Sequence, residues 1–148
     1  DLVQFKDSTG KAMDWVESVV KYERPDVVIL DMGDKFADIK SERSDITLKA
    51  AAIHARNIAK QYDCAVVWMS QLSAEAEGRA DLNQAMMEGS KTGKAAEADL
   101  MVLIGKTQQA EGEEEDPIRY LNIAKNKLNG FQGKITCQLD GSRSLYSA

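Results

Sequence analysis

Residues 27–31 read Val27-Val28-Ile29-Leu30-Asp31, four consecutive apolar residues closed by a carboxylate. A run that is β-branched and continuous rather than alternating predicts a strand buried on both faces of a parallel sheet. Two further runs share this character: Ala65-Val66-Val67-Trp68-Met69 and Leu100-Met101-Val102-Leu103-Ile104. Helical patterns lie before and between them. Residues 11–23 place Met13, Val16, Val19 and Val20 on one face, with Ser8 or Thr9 available as the amino-terminal cap. Residues 45–62 gather Leu48, Ala51, Ala52, Ala55, Ile58, Ala59 and Tyr62 into one stripe and leave Ile46 and Ile53 on the other side. Leu2-Val3-Gln4-Phe5 adds a short strand at the start. The alternation of strand and helix predicts an α/β sheet with right-handed crossovers and helices on its faces.

The last third changes character. Residues 118–124 alternate, Asn129-Gly130 and Gly133 mark a turn, and Ile135-Thr136-Cys137-Gln138-Leu139 follows. Asp140-Gly141 then signals a second turn before Leu145-Tyr146. This pattern predicts an antiparallel meander appended to the sheet. No internal repeat and no linker divides residues 1–148, so they are expected to form a single domain or a piece of one.

Composition narrows the class. The 148 residues are 43% hydrophobic and 29% charged with only two prolines, which predicts a soluble globular chain rather than a disordered one. No apolar run approaches the roughly 18 residues of a membrane span, and no export leader opens the sequence. No membrane partner is expected. Cys64 and Cys137 stand far apart in apolar runs, which excludes a disulfide scaffold or a cysteine zinc site and fits a reducing cytoplasm. The net charge of −5 gives no global signal for nucleic acid, so any DNA contact must be local. Locally, residues 119–143 carry Arg119, Lys125, Lys127, Lys134 and Arg143 against one acid, Asp140. The acidic stretch Glu111, Glu113, Glu114, Glu115 and Asp116 reads as a solvated loop.

Four residues carry the candidate chemistry. Carboxyl ends of parallel strands form the ligand crevice of such sheets, and four apolar residues followed by Asp is the Walker B pattern, so Asp31 is a candidate Mg²⁺ carboxylate. An Asp that merely ends a strand is the plain alternative. Gln71 follows the next strand and is expected beside Asp31 at the same sheet edge, where an amide can accept from a water and donate to a phosphate oxygen. Lys125 and Lys127, spaced i, i+2 on an extended segment, converge on one side and suit a polyphosphate, although surface lysines at a strand end read the same way. Residues 73–94 have little periodicity and contain Gly78, Gly89 and Gly93, which reads as a long functional loop. It carries Arg79, Lys91 and Lys94 but also Glu75, Glu77, Asp81 and Glu88. The connection at 34–44 is equally balanced, with Lys35, Lys40 and Arg43 against Asp34, Asp38 and Glu42. His54, alone in mid-helix, receives no role. No G-x-x-x-x-G-K-[ST] phosphate loop occurs; Gly89-Ser90-Lys91-Thr92-Gly93-Lys94 has the wrong spacing and no preceding strand.

The order of these motifs is recognisable. Residues 2–10 (LVQFKDSTG), 27–31 (VVILD), 70–72 (SQL), 96–104 (AEADLMVLI) and 124–133 (AKNKLNGFQG) resemble, in sequence and spacing, the RecA-like motor domain of DnaB-type replicative helicases. The tail from Ile135 to Tyr146 is similar to the closing strands of that domain. The resemblance covers nearly the whole chain. It implies a mainly parallel RecA-like sheet with an antiparallel carboxy-terminal meander, in a homo-hexamer that hydrolyses ATP or another NTP with Mg²⁺ between subunits while moving on single-stranded DNA. By position it implies that Asp31 is the Walker B carboxylate and that Gln71 couples the γ-phosphate to a DNA loop. Lys125 and Lys127 fall where the family places a lysine and an arginine finger reaching into the neighbouring subunit. Lys127 departs from that pattern, because lysine lacks the planar fork that grips phosphate bidentately. The loops after Asp31 and Gln71 fall where DNA is contacted, making Lys35, Lys40, Arg43, Arg79, Lys91 and Lys94 the expected DNA-binding residues. The resemblance further implies a phosphate loop upstream of residue 1 and no ATP hydrolysis by this chain alone. Two rival readings are a RecA-like recombinase or clock-type ATPase with a different partner, and a non-catalytic α/β interaction module.

Overall fold

The computed structural model describes residues 3–37, 44–88, 93–108 and 116–147. The chain divides into two compact units, residues 1–70 and 71–148.

In the first unit, α1 (Met13–Glu23) precedes β1 (Val27–Leu30), and α2 (Ser44–Tyr62) precedes β2 (Ala65–Trp68). β1 and β2 pair in parallel, with Leu30 level with Trp68. Both helices follow the apolar spacing of the sequence. Met13, Val16 and Val20 of α1 meet Leu48, Ala51, Ala55 and Ile58 of α2 in one core with Leu30, Phe36 and Ala37, and Val28, Val66 and Trp68 pack onto it. Ile46 and Ile53 stay exposed, as their positions off the stripe require. The chain leaves α1 through Arg24, which adopts the left-handed conformation while its N–H donates to the Val20 carbonyl.

Three expectations for this unit are corrected. Residues 3–8 form no strand; Val3 and Phe5 are exposed, because no neighbouring strand offers them hydrogen bonds. Ala12, rather than Ser8 or Thr9, occupies the cap position of α1, and the Thr9 N–H and hydroxyl both donate to Asp7 instead. The strands are also covered on one face only. Val28, Leu30, Val66 and Trp68 face the helices, whereas Val27, Ile29, Val67 and Met69 remain exposed among the described residues.

The second unit holds a four-stranded antiparallel sheet. α3 (Gly93–Glu97) leads into β3 (Leu100–Gly105), followed by β4 (Ile118–Asn126), β5 (Gly133–Asp140) and β6 (Leu145–Ser147), paired in sequence order. The meander is where the turn signals put it. It begins one strand earlier than expected, because the third apolar run pairs antiparallel with β4. Burial along β3 explains why this was hidden: Met101, Leu103 and Gly105 are buried, while Leu100, Val102 and Ile104 are apolar yet 42–51% exposed. An apolar outward face erases the alternation that marks a half-covered antiparallel strand.

Residues 73–88 are packed rather than structureless. Two 3-10 turns, at Ala74–Ala76 and Gln84–Met86, are tied together by the Ser73 N–H and hydroxyl, both donating to the Met86 carbonyl at 2.8 and 3.1 Å. Ala76, Leu82, Met86 and Met87 form a second core with Ala95, Met101 and Leu103. The buried Asn122 amide anchors this segment to β4, donating to the carbonyls of Ala80 (2.9 Å) and Tyr120 (3.2 Å) and accepting from the Leu82 N–H (3.3 Å). Gly105 permits that closeness, since a Cβ there would lie 2.5 Å from the Arg79 carbonyl oxygen. No helix among the described residues is long and apolar enough to cross a membrane.

Candidate functional site

Asp31 directly follows β1 and is exposed. Pairing with β2 continues past the strand ends, with the Met69 N–H donating to the Leu30 carbonyl at 3.1 Å and the Gly33 N–H to the Met69 carbonyl at 2.8 Å. Between them Met32 turns through the left-handed region at φ 53°. The following 3-10 turn, Gly33–Phe36, inserts Phe36 into the core and presents Asp34 to β2. Asp34 accepts from the Trp68 indole at 3.0 Å and from the Ser70 hydroxyl at 2.6 Å. Gly33 lies so close to the indole plane that a Cβ would stand 2.5 Å from Trp68 Cε2.

This places one carboxylate, Asp31, at the carboxyl end of a parallel strand on a braced loop. No cluster of three or more metal-ligating side chains occurs among the described residues. A single exposed carboxylate fits Mg²⁺, which keeps several waters and takes one or two carboxylates plus substrate phosphates. It does not fit a closed site for zinc.

Gln71 opens the second unit with its side chain exposed, and its carbonyl accepts from the Glu88 N–H at 3.4 Å. Lys125 and Lys127 are brought together onto the segment that joins α3 to β3. The Lys125 ammonium donates to the carbonyls of Ala95 and Ala96 at the end of α3. Lys127, just past β4, pairs with Asp99 at 3.3 Å, and its N–H donates to the Asp99 carbonyl at 2.8 Å. Sequence reasoning missed these acceptors, which lie about 30 residues away along the chain. The basic surplus of residues 119–143 is also partly answered from elsewhere: Lys134 pairs with Asp81 and lies over the Tyr120 ring, and Arg119 is buried against the carbonyls of Asp116 and Ile118.

Of the expected DNA-binding residues, Lys35 and Arg79 are exposed. Lys94 is buried within α3, only 5% exposed, and has partners inside the protein, so it offers no charge to a passing strand. Lys40, Arg43 and Lys91 lie outside the described residues. His54, left without a role by the sequence, ties α2 to α1. Its Nε2 meets Glu17 at 2.7 Å, and the Tyr62 hydroxyl donates to the same carboxylate at 3.1 Å. These two hydrogen bonds hold the Glu17 carboxyl below the usual glutamate range. Nothing in the sequence marked Glu17, which sits on α1 as any solvent-face acid would.

No family model matches the chain, and no curated protein matches it. Solved structures do. The chain is similar to a solved ATPase domain of a DnaB-like helicase, with a TM-score of 0.77 and 16% identity over 92% of this chain and 51% of that one. It is also similar to a DnaB-like replicative helicase described with its primase interactions, with a TM-score of 0.75 and 18% identity over 95% of this chain and 36% of that one. The chain thus spans about half or less of the structures it matches. At such identities the likeness is one of fold, and it agrees with the helix-backed parallel strands and the antiparallel meander: the chain carries the RecA-like fold of DnaB-type helicase ATPase domains.

Proposed function

We propose that this chain is part of an ATP-dependent DNA helicase motor, acting in a homo-hexamer that couples hydrolysis between subunits to translocation on single-stranded DNA. One observation carries the reading: the fold match to helicase ATPase domains extends over 92–95% of the chain, with Asp31 exposed at the end of a parallel strand. The coverage against one ATPase domain supports taking both units as parts of one partial domain. Asp31 would hold Mg²⁺, which supplies charge neutralisation at the transferring phosphate when bound. Gln71 would orient water or sense the γ-phosphate, and Lys125 and Lys127 would meet phosphate from a neighbouring subunit. Lys35, Lys40, Arg43, Arg79 and Lys91 would contact DNA backbone, giving salt-sensitive and sequence-tolerant binding. The protein is proposed to act in the cytoplasm.

These 148 residues spell no phosphate cradle, so the test uses the complete protein. ATP hydrolysis is measured with and without single-stranded DNA at two salt concentrations. DNA stimulation that fades with salt is the expected result. Hydrolysis indifferent to DNA would favour a RecA-like ATPase with another partner, a reading to which the mixed charge of both loops lends weight. No hydrolysis at all would leave the non-catalytic module.

A further inference from the structure

We infer that Asp34 is a positioning residue that clamps the loop after β1 to the end of β2, and so fixes the backbone on which Asp31 and Gln71 are mounted. This rests on the roles proposed above for those two residues.

The clamp is built from three kinds of contact. Backbone pairing runs one step past both strands, through Leu30, Met69 and Gly33. Apolar packing holds the far side of the loop, where Phe36 and Ala37 are buried in the core. Asp34 closes the polar side, its Oδ1 on the Trp68 indole at 3.0 Å and its Oδ2 on the Ser70 hydroxyl at 2.6 Å. A half-buried indole N–H needs an acceptor, and many groups could supply one. A carboxylate does more, because its two oxygens take two donors at once and each bond is charge-assisted. An amide in its place offers one acceptor and turns an N–H₂ toward the other donor.

Position gives this bracket its consequence. Asp34 stands three residues after Asp31, and Ser70 is the residue before Gln71. Loosening the clamp frees the ends of β1 and β2 at the points where the proposed metal carboxylate and phosphate sensor attach. Asp34 itself is occupied by protein donors, so its effect passes through the placement of other residues. Misplacement of a catalytic group by about 1 Å is enough to cost about 100-fold in rate.

The experiment compares Asp34→Asn, Ser70→Ala and Asp31→Asn in the complete protein. Hydrolysis is followed across ATP concentrations with single-stranded DNA present, and each rate is normalised to the binding sites counted by titration with a fluorescent nucleotide. The expected result for Asp34→Asn is a kcat per site lower by about 10–100-fold. KM should stay within about threefold, since uniform binding of nucleotide is untouched. Ser70→Ala should shift kcat the same way by less. A kcat per site within about twofold of wild type in both variants, with Asp31→Asn inactive, would overturn the clamp and leave the Asp31 assignment standing. Fewer competent sites at an unchanged kcat per site would make Asp34 structural only, and would also overturn it. Full activity in Asp31→Asn would refute the underlying assignment and the clamp with it. Where Asp34→Asn does not fold, Ser70→Ala decides by the same criteria.

Discussion

Replacing Gly33 with alanine tests the packing of the Asp31 loop most directly. The new Cβ would lie 2.5 Å from Trp68 Cε2 and 2.6 Å from both Cδ2 and Nε1, against about 3.5–4.0 Å for a comfortable carbon contact. The deficit is thus about 1 Å, and the obstacle is a rigid ring. That ring is held on one side by Asp34 and on the other by the core of the first unit. If the indole stays, the overpacking costs about 1–3 kcal/mol. If it swings away, the charged hydrogen bond to Asp34 is lost as well, about 1.5–3 kcal/mol. Alanine stiffens the unfolded chain and returns about 0.4–1 kcal/mol. The net expectation is a loss of about 2–4 kcal/mol, a sizeable part of a typical 5–15 kcal/mol stability. Urea unfolding reads it, and a double-mutant cycle with Trp68→Ala isolates its origin. With the ring gone, Gly33→Ala should cost close to nothing. A loss below about 0.5 kcal/mol in the wild-type background, or an equal loss with and without the Trp68 ring, would refute the reasoning.

Three further outcomes follow from particular contacts. Asn122→Asp should destabilise the second unit by about 2–4 kcal/mol in urea unfolding, because the carbonyls of Ala80 and Tyr120 lose their donor and face a carboxylate instead. Lys125→Met keeps the aliphatic stem but removes the ammonium from the carbonyls of Ala95 and Ala96, with an expected loss of about 1–3 kcal/mol in the same measurement. The Glu17 carboxyl is held low by His54 first and Tyr62 second, so the stability it contributes is present above the ordinary glutamate value of 4.5 and is lost as pH falls through the lower, folded value. Unfolding midpoints between pH 3 and about 7 should therefore show a shallower acid limb in Glu17→Gln.

Elements that bury one stripe against one neighbour were legible in the sequence. The spacing of Leu48, Ala51, Ala55 and Ile58 can serve only a helix, and those residues are buried as a set. Turn residues at 129–130 and 140–141 likewise marked the meander, and Asp140 braces the second turn by accepting from the Ser142 N–H and hydroxyl. Strand partners were illegible where both faces are apolar. Leu100, Val102 and Ile104 look like core in one dimension, and only the pairing with β4 shows them on an uncovered face. Asp31 announced itself through four apolar neighbours, whereas Asp34 did not, because its partners stand 34 and 36 residues away. Lys94 misled in the opposite direction. A lysine in a glycine-rich stretch reads as surface, and its burial follows from α3 packing beneath residues that the sequence shows as loop.

The two lysines at the end of β4 look alike in sequence but differ in what binds them. The Lys125 ammonium closes the carboxyl end of α3, and pulling it away would leave two helix carbonyls without that donor. Its first task is therefore structural. Lys127 is 45% exposed in its side chain and its partner Asp99 54%, so their ion pair is worth about 0–1 kcal/mol and weakens with salt. The backbone beside it is held separately, by the Lys127 N–H on the Asp99 carbonyl. The side chain can thus leave Asp99 for an anion without moving the strand, at a cost of about fivefold in affinity at most. A phosphate from a neighbouring subunit would outcompete that pair more readily than it would uncap α3. Any reach across a subunit boundary accordingly belongs to Lys127, delivered as a point charge rather than a fork, while Lys125 keeps in place the helix against which Lys127 is parked.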